Sequence, residues 1–267
     1  MAYADITIAD PNPVKRWLQG RRFLDVLGLL RDTGSKGHLQ ILDFGAGDGE
    51  LVRQIAGRLP VQACVYEPTA SLMSEARQKL SGLNCVTFVN RLDSLEPGIF
   101  DYVFCLEVFE HLPDKEISEA MADIHRLLKA DGLALVGVPH ELFLPALLKG
   151  IFRMSRRYGA FDASPKEILA ATVGRPPSPR PVSEISPGFS YHFQHLGFDH
   201  RVLEGKLQER FQLVNKWFSP FPLLGPALNS EVNFLLRKAQ ASGAADLLPA
   251  TEMSVSIDGN RANRSRT

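Results

Sequence analysis

An apolar run, Leu39 to Phe44, passes directly into Gly45-Ala46-Gly47-Asp48-Gly49-Glu50, and this junction constrains the chain more than any other feature. Glycines at alternate positions accept backbone dihedrals that a Cβ would forbid. They let the loop pass close to a ligand at the carboxyl end of a strand, while the next helix aims its N-terminal amides at the same point. Leu51 to Leu59 reads as that helix, stopped by Pro60. The unit is a strand, a ligand-facing turn and a helix, the opening of an alternating α/β sheet.

The chain continues in the same pattern. Val61 to Tyr66, Asn84 to Val89, Phe100 to Leu106 and Leu133 to Val138 read as short buried strands. Helical segments at 69–80 and Asp114 to Lys129 lie between them, and Asp131-Gly132 makes a turn before the fifth strand. Short apolar strands alternating with helices predict a parallel sheet covered on both faces, doubly wound through right-handed crossovers. Before the glycine loop, Val14, Trp17, Leu18, Phe23, Val26, Leu27 and Leu30 recur at helical spacing over 14–31, ended by Gly34 and Gly37. After residue 140 the pattern changes to a basic apolar stretch, Leu142 to Tyr158, and a proline-rich loop, Pro176 to Pro187. A helix near Arg201 to Glu209 and strands at Phe211 to Phe218 and Glu231 to Arg237 complete the sheet. The expected division is an N-terminal helical segment at 1–37, a ligand-binding core at 38–140 and a capping insertion at 141–200. The last helix and strands follow at 201–239, with a flexible polar tail at 240–267.

A glycine-rich loop alone also suits a dinucleotide, as in nucleotide-dependent oxidoreductases. Two residues argue otherwise. The sixth position of the loop is Glu50 where a dinucleotide site expects glycine, and Asp43 at the strand end would repel a pyrophosphate. Asp43 suits a ligand carrying an ammonium or sulfonium, and Glu67 at the end of the second strand can accept both hydroxyls of a ribose.

Asp43-Phe44-Gly45-Ala46-Gly47-Asp48-Gly49 resembles motif I of the class I S-adenosylmethionine (SAM)-dependent methyltransferases, in particular their type 11/12-like domains. Glu67 matches the acidic ribose ligand of that family, Asp101 to Leu112 its fourth-strand motif and Gly132 to Pro139 its fifth strand. The resemblance covers about 38–140 and the last two strands. It implies a Rossmann-like, mostly parallel seven-stranded sheet with SAM as cofactor. It also implies cofactor contacts from Asp43, Gly45, Ala46, Gly47, Glu67, Pro68, Arg91, Leu92, Leu106 and Glu107. The family often has an acidic residue after the third strand; here Arg91 stands there, with Asp93 two residues on.

Around the acceptor, Glu107, Glu110 and His111 form Glu-x-x-Glu-His at the end of the fourth strand. His111 and Glu107 are the catalytic candidates, His111 as general base. The alternative is a divalent cation held by Glu107, Glu110, His111 and a later histidine, His192 or His195. Some ubiquinone-pathway and small-RNA 2′-O-methyltransferases resemble the chain in this triplet and use it for metal; many metal-free relatives carry Glu-His here too. His140 and Glu141 sit at the same sheet edge, and His200 at a helix start. The stretch 142–158 reads as a lid or as a basic amphipathic surface touching membrane, while Arg175 and Arg180 in the proline-rich loop are expected to be solvated.

Lysine plus arginine and aspartate plus glutamate both total 30, so no overall field attracts DNA or RNA. The expected partner is a small-molecule or glycan- or lipid-linked acceptor methylated on oxygen, with a non-catalytic SAM-binding module as a further reading. The three cysteines, Cys64, Cys85 and Cys105, fall in strand-like runs and suit buried thiols of a reducing compartment. Met1 to Asp10 has neither a basic start nor an apolar stretch, and no run of some 18 apolar residues occurs, so the expectation is cytoplasmic.

Overall fold

The computed structural model describes residues 13–32, 38–186 and 189–239. Helix α1 (Pro13–Asp32) precedes β1 (Leu39–Phe44), α2 (Glu50–Ala56), β2 (Val61–Tyr66), α3 (Ala70–Lys79), β3 (Val86–Val89) and β4 (Phe100–Leu106). A single 3-10 turn, Phe109–His111, leads into α4 (Asp114–Leu127) and β5 (Leu128–Pro139). The segment that follows holds α5 (Phe143–Arg157), α6 (Pro165–Thr172) and a hairpin of β6 (Ser183–Ser186) with β7 (Phe189–Tyr191). Helix α7 (His200–Gln208), β8 (Phe211–Ser219) and β9 (Glu231–Lys238) close the chain. The expected tail at 240–267 and the glycines at 34 and 37 lie outside the described residues.

The seven strands run β3-β2-β1-β4-β5-β9-β8. The first five are mutually parallel, and β9 runs antiparallel to both β5 and β8. Chain order reverses beside β1, whose neighbours are β2 and β4, so the carboxyl end of β1 opens at the switch point where ligands bind in such sheets. Alternation along each strand divides the core. Leu42, Cys64, Val103, Cys105, Val136 and Phe234 face α4 and α7. Ile41, Ala63, Val65, Tyr102, Phe104 and Leu135 face α1, α2 and α3. Both faces of the central strands are apolar because both are covered by helices.

Two expectations are corrected. The fifth strand begins at Leu128, not after a turn at Asp131-Gly132, and α4 ends at Leu127. The added residues are absorbed by a bulge against β4, where the register jumps from Phe100↔Leu128 to Tyr102↔Leu133. Gly132 permits it, since a Cβ there would lie 2.9 Å from the Phe100 carbonyl oxygen. The proline-rich stretch also carries more regular structure than its composition suggests. Its end forms β6, and α5 packs so closely on α6 that a Cβ at Gly150 would meet Ile168 at 2.5 Å.

Candidate functional site

The glycine loop is held by the backbone. The amides of Gly45 and Ala46 both donate to the carbonyl of Tyr66 at the end of β2, at 2.9 and 3.0 Å. Gly45 has φ of 76° and Gly49 of 77°, in the left-handed region. A Cβ on Gly45 would meet Val108 Cγ2 at 2.6 Å, and one on Gly49 would meet Leu80 Cδ1 at 2.7 Å. Val108 follows β4 and Leu80 follows α3, so three segments converge on a cradle that only glycine leaves open.

Carboxylates line this cradle. Glu67 is buried and accepts from the amides of Gly47 (2.9 Å) and Thr69 (2.8 Å), which fix one oxygen towards the loop and the other towards α3. Asp43 is 4% exposed, and its Oδ2 has no hydrogen-bond partner among the described residues. Burial, then the neighbouring charges of Glu67 and Asp48, raise its pKa to about 8. Asp48 pairs with Lys79, and Glu50 with Arg53 and Gln54, so neither faces the cradle unbalanced. A groove beside Glu67 is lined by Pro68, Ala70, Met73, Ser74, Arg77 and Asn90.

At the β3 end, the two residues that the resemblance puts beside the cofactor face different ways. Arg91 is exposed and pairs with Asp93, while Leu92 is buried in the core with its carbonyl accepting from Arg126 at 2.9 Å. Asn90, not singled out from sequence, lines the groove instead. A side chain at a strand terminus carries no periodic signal.

After β4, Glu107 adopts a φ of 57°, a strained conformation for a residue with a side chain. Its amide is held by the Gly137 carbonyl at 2.8 Å, and its carboxylate lies 3.2 Å from Arg22 of α1. Arg22 also grips Glu231 at the start of β9 through Nη2 (2.6 Å) and Nε (3.3 Å). Burial opposes the charge on Arg22, but Glu107 and Glu231 outweigh it and raise its pKa. Sequence reasoning missed Arg22, because several arginines stud the N-terminal segment and spacing does not distinguish one that turns inward.

Glu110 and His111 turn the other way, towards the hairpin. Glu110 is fully buried with neither side-chain oxygen bonded among the described residues, and burial raises its pKa well above the ordinary value. His111 Nδ1 lies 2.7 Å from the His192 carbonyl oxygen, which can only accept, so Nδ1 carries the proton and Nε2 an open lone pair. That Nε2 is 3.3 Å from Nε2 of His195 and 3.7 Å from Glu110 Oε1. Burial lowers both imidazoles to about 4, so both are neutral at pH 7. The ring of His111 stacks on Tyr191 at 4.4 Å. The metal set read from sequence is thus revised: ligand-type atoms of Glu110, His111 and His195 lie within 4.8 Å of one another. Glu107 faces Arg22 and His192 turns its Nδ1 to the Pro181 carbonyl, so neither joins the cluster. Arg180 is not solvated as expected; it donates to the carbonyls of Glu110 (2.7 Å) and Gln194 (2.6 Å) and clamps the hairpin onto the β4 end.

His140 and His200 form a separate buried pair, 3.2 Å apart and packed on Phe218. Asp199 caps α7 by accepting from the Arg201 amide. Glu141 is buried between Lys149 and Arg153 of α5, which anchors that helix to the sheet edge. The outer face of α5 exposes Leu148, Ile151 and Phe152. Among the described residues, no helix is long and apolar enough to cross a membrane.

Comparison with known proteins bears on the family and the fold. Residues 41–132 match the model of a methyltransferase domain family. An uncharacterized methyltransferase of Oceanobacillus iheyensis is 28% identical over 102 residues, 37% of this chain and 46% of that protein. One from a Geobacillus species is 31% identical over 110 residues, 40% of this chain and 50% of that protein. The chain therefore spans about half the length of the curated relatives it matches. Among solved structures, the N-methyltransferase NodS of Bradyrhizobium japonicum, in complex with S-adenosylhomocysteine, superposes with a TM-score of 0.52. It does so at 14% identity, over 86% of this chain and 90% of that one. A Pyrococcus horikoshii protein gives 0.53 at 15% identity, over 82% and 91%. At these identities the likeness to the two solved structures is one of fold.

Proposed function

We propose, from the match of residues 41–132 to a methyltransferase domain, that this chain transfers a methyl group from S-adenosylmethionine to an oxygen of a small-molecule or glycan- or lipid-linked acceptor. The observation that carries this reading is Asp43, a buried acid whose Oδ2 has no hydrogen-bond partner among the described residues, beside a loop packed so tightly that only glycine fits at 45 and 49. A carboxylate kept this way is costly, and a cationic ligand relieves the cost where a pyrophosphate would increase it. The residues fit the cofactor. Glu67 presents an ordered carboxylate for ribose hydroxyls, the Gly45–Gly49 loop admits the backbone-close part of the ligand, and the groove at Pro68, Met73 and Asn90 is placed for the base.

When bound, SAM supplies an electrophilic methyl group, so the protein's task is to place the acceptor in line and exclude water. His111 stands next to this edge as a neutral imidazole whose Nε2 can take a proton from an acceptor hydroxyl. His192, through its carbonyl, holds the tautomer that makes this possible. His195, 3.3 Å away, can share that proton. Replacing His111 by glutamine should lower kcat about a hundredfold or more with SAM affinity unchanged, read by single-turnover methylation of a phenolic or glycan acceptor. An unchanged rate removes His111 from the mechanism. The balanced charge supports a small acceptor over a nucleic acid, and the apolar face of α5 supports a lid or a peripheral membrane contact.

A second reading is favoured by one observation. Tetrahedral ligands at about 2.1 Å from a zinc ion stand about 3.4 Å apart, close to the 3.3 and 3.7 Å separations at His195, His111 and Glu110. In that reading Glu110 would release its proton to solvent and hold a divalent cation together with His111 and His195, which would orient the acceptor oxygen. Titration with zinc and with manganese, on wild type and His195→Ala, decides it. Stoichiometric binding lost in the variant supports the metal, and no binding to wild type leaves His111 as a base.

A further inference from the structure

Two arginines near the hairpin each commit one end to the fold and leave another donor buried and unbonded. Arg180 donates through Nη2 to the carbonyls of Glu110 and Gln194, while its Nε has no partner among the described residues. Arg153 of α5 donates through Nη2 to both oxygens of Glu141, and its buried Nη1 is likewise without a hydrogen-bond partner. Both stand beside His195. Arg180 grips the carbonyl of the residue before it, and Leu196 after it is buried against Ala146 of α5. The charges of Arg153 and Arg180 both reach the His195 ring. A buried guanidinium N–H without an acceptor is costly, and two of them beside one imidazole call for an acceptor from outside the fold. His111 and His195 are only partly buried, so such a group can arrive from solvent.

The charge balance gives the sign of the group that fits. Lys149 and Arg153 share Glu141, and Arg157 takes Asp162, with Arg153 Nε 3.6 Å away. Arg180 spends its bonds on carbonyls, and burial lowers its pKa to about 10 although Glu110 and Glu141 favour its charge. Glu110 is itself pushed towards its neutral form by burial, so it offers an O–H donor in place of a counter-charge. The surplus is positive, and the unbonded N–H groups suit an anion with one oxygen for each arginine. A planar carboxylate meets that description. Resting on the methyl-transfer reading above, we propose that the acceptor is a hydroxy acid whose carboxylate is held beside His195 by Arg153 and Arg180. Its hydroxyl then reaches His111, whose Nε2 is 3.3 Å from that of His195. Both arginines keep their bonds to Glu141, Glu110 and Gln194, so the site is preorganised. A neutral glycan lacks the group that these donors fit.

The test is calorimetric titration of the full chain, loaded with S-adenosylhomocysteine and held in EDTA. The probes are 3-hydroxybenzoate, its neutral isostere 3-hydroxybenzamide, and inorganic phosphate. Wild type should bind the acid about tenfold to a hundredfold more tightly than the amide, the range expected for a charge-assisted hydrogen bond. In Arg153→Gln and in Arg180→Gln that preference should fall to about twofold or less. Arg153→Lys keeps a charge facing Glu141 and guards against a folding defect; it should bind S-adenosylhomocysteine as wild type does and still lose most of the preference. Equal binding of acid and amide, no binding of the acid, or a full preference kept in both glutamine variants overturns the proposal. Phosphate bound more tightly than the acid also overturns it, in favour of a phosphorylated acceptor. So does binding of the acid only after zinc is added, which routes the carboxylate through a cation. The cofactor reading is tested separately at the loading step, where failure to bind S-adenosylhomocysteine would remove it before any acceptor probe is added.

Discussion

The two sides of the sheet's carboxyl edge are built in opposite ways. On the β1–β2 side, glycines and backbone amides shape the cradle, and the titratable groups are buried acids such as Asp43 and Glu67, both shifted upward by burial. On the hairpin side, the site is assembled from side chains far apart in sequence, and four histidines, His111, His140, His195 and His200, are shifted downward by burial beside a buried Glu110 shifted upward. Apart from Glu141, kept ionised by Lys149 and Arg153, the buried groups of both sides resist charge. On the function proposed above, cations relieve the first and neutral imidazole chemistry suits the second, giving a cofactor half and an acceptor half. The contrast also fixes how each half should respond to mutation and to pH.

The sharpest break between the halves is expected at Glu141. It is fully buried, and its removal leaves Lys149 and Arg153 facing each other without their shared carboxylate. Glu141→Ala should destabilise the protein by about 3 kcal/mol, measured by urea denaturation. Hydrogen exchange should rise in α5 and α6 while SAM affinity changes less than threefold. Equal loss of protection around the glycine loop would show that the halves are one cooperative unit.

Asp43 should behave in the opposite sense. Its pKa is raised above the ordinary value, so the stability linked to its proton is complete below pH 4 and is lost as pH rises towards 8. Asp43→Asn should therefore stabilise the ligand-free protein at pH 7.5, by roughly 1–3 kcal/mol, while losing SAM binding. Thermal melts with and without SAM check both signs, and destabilisation of the ligand-free protein would contradict the burial argument.

A smaller effect follows from the histidines. Their pKa values are lowered to about 4, and to about 3 for His200, so the stability they carry is present above pH 6.5 and drains as pH falls towards 4. Acidification should loosen the hairpin and α7 before it affects β1 and β2, which residue-resolved hydrogen exchange between pH 6.5 and 4.5 would report. For the cofactor half the same acid range should weaken SAM affinity, because Asp43 must give up its proton to face a cation.

The frame of the proposed cofactor half was legible in the sequence for a physical reason. A strand entering Gly45-Ala46-Gly47-Asp48-Gly49 has few ways to fold, and Asp43 and Glu67 sit where parallel strands end, so local pattern sufficed. The strands of the core were recovered within a few residues, with the bulge at Leu128–Gly132 as the main error. The acceptor half was less legible because its contacts are long-range. His111 meets His195 across 84 positions and Arg22 meets Glu231 across 209, and spacing along the chain encodes neither. Glu107 and Glu110, three residues apart in one motif, were read as partners; the positive φ at Glu107 sends one to Arg22 and leaves the other beside His111.

The central claim, a SAM site built on Asp43, Glu67 and the glycine loop, is tested most directly by calorimetric titration of the full chain with SAM and with NAD. The account predicts one SAM bound per chain, no NAD, and at least a hundredfold weaker SAM binding in Glu67→Ala. NAD binding without SAM binding, or SAM affinity unchanged in Glu67→Ala, would contradict it.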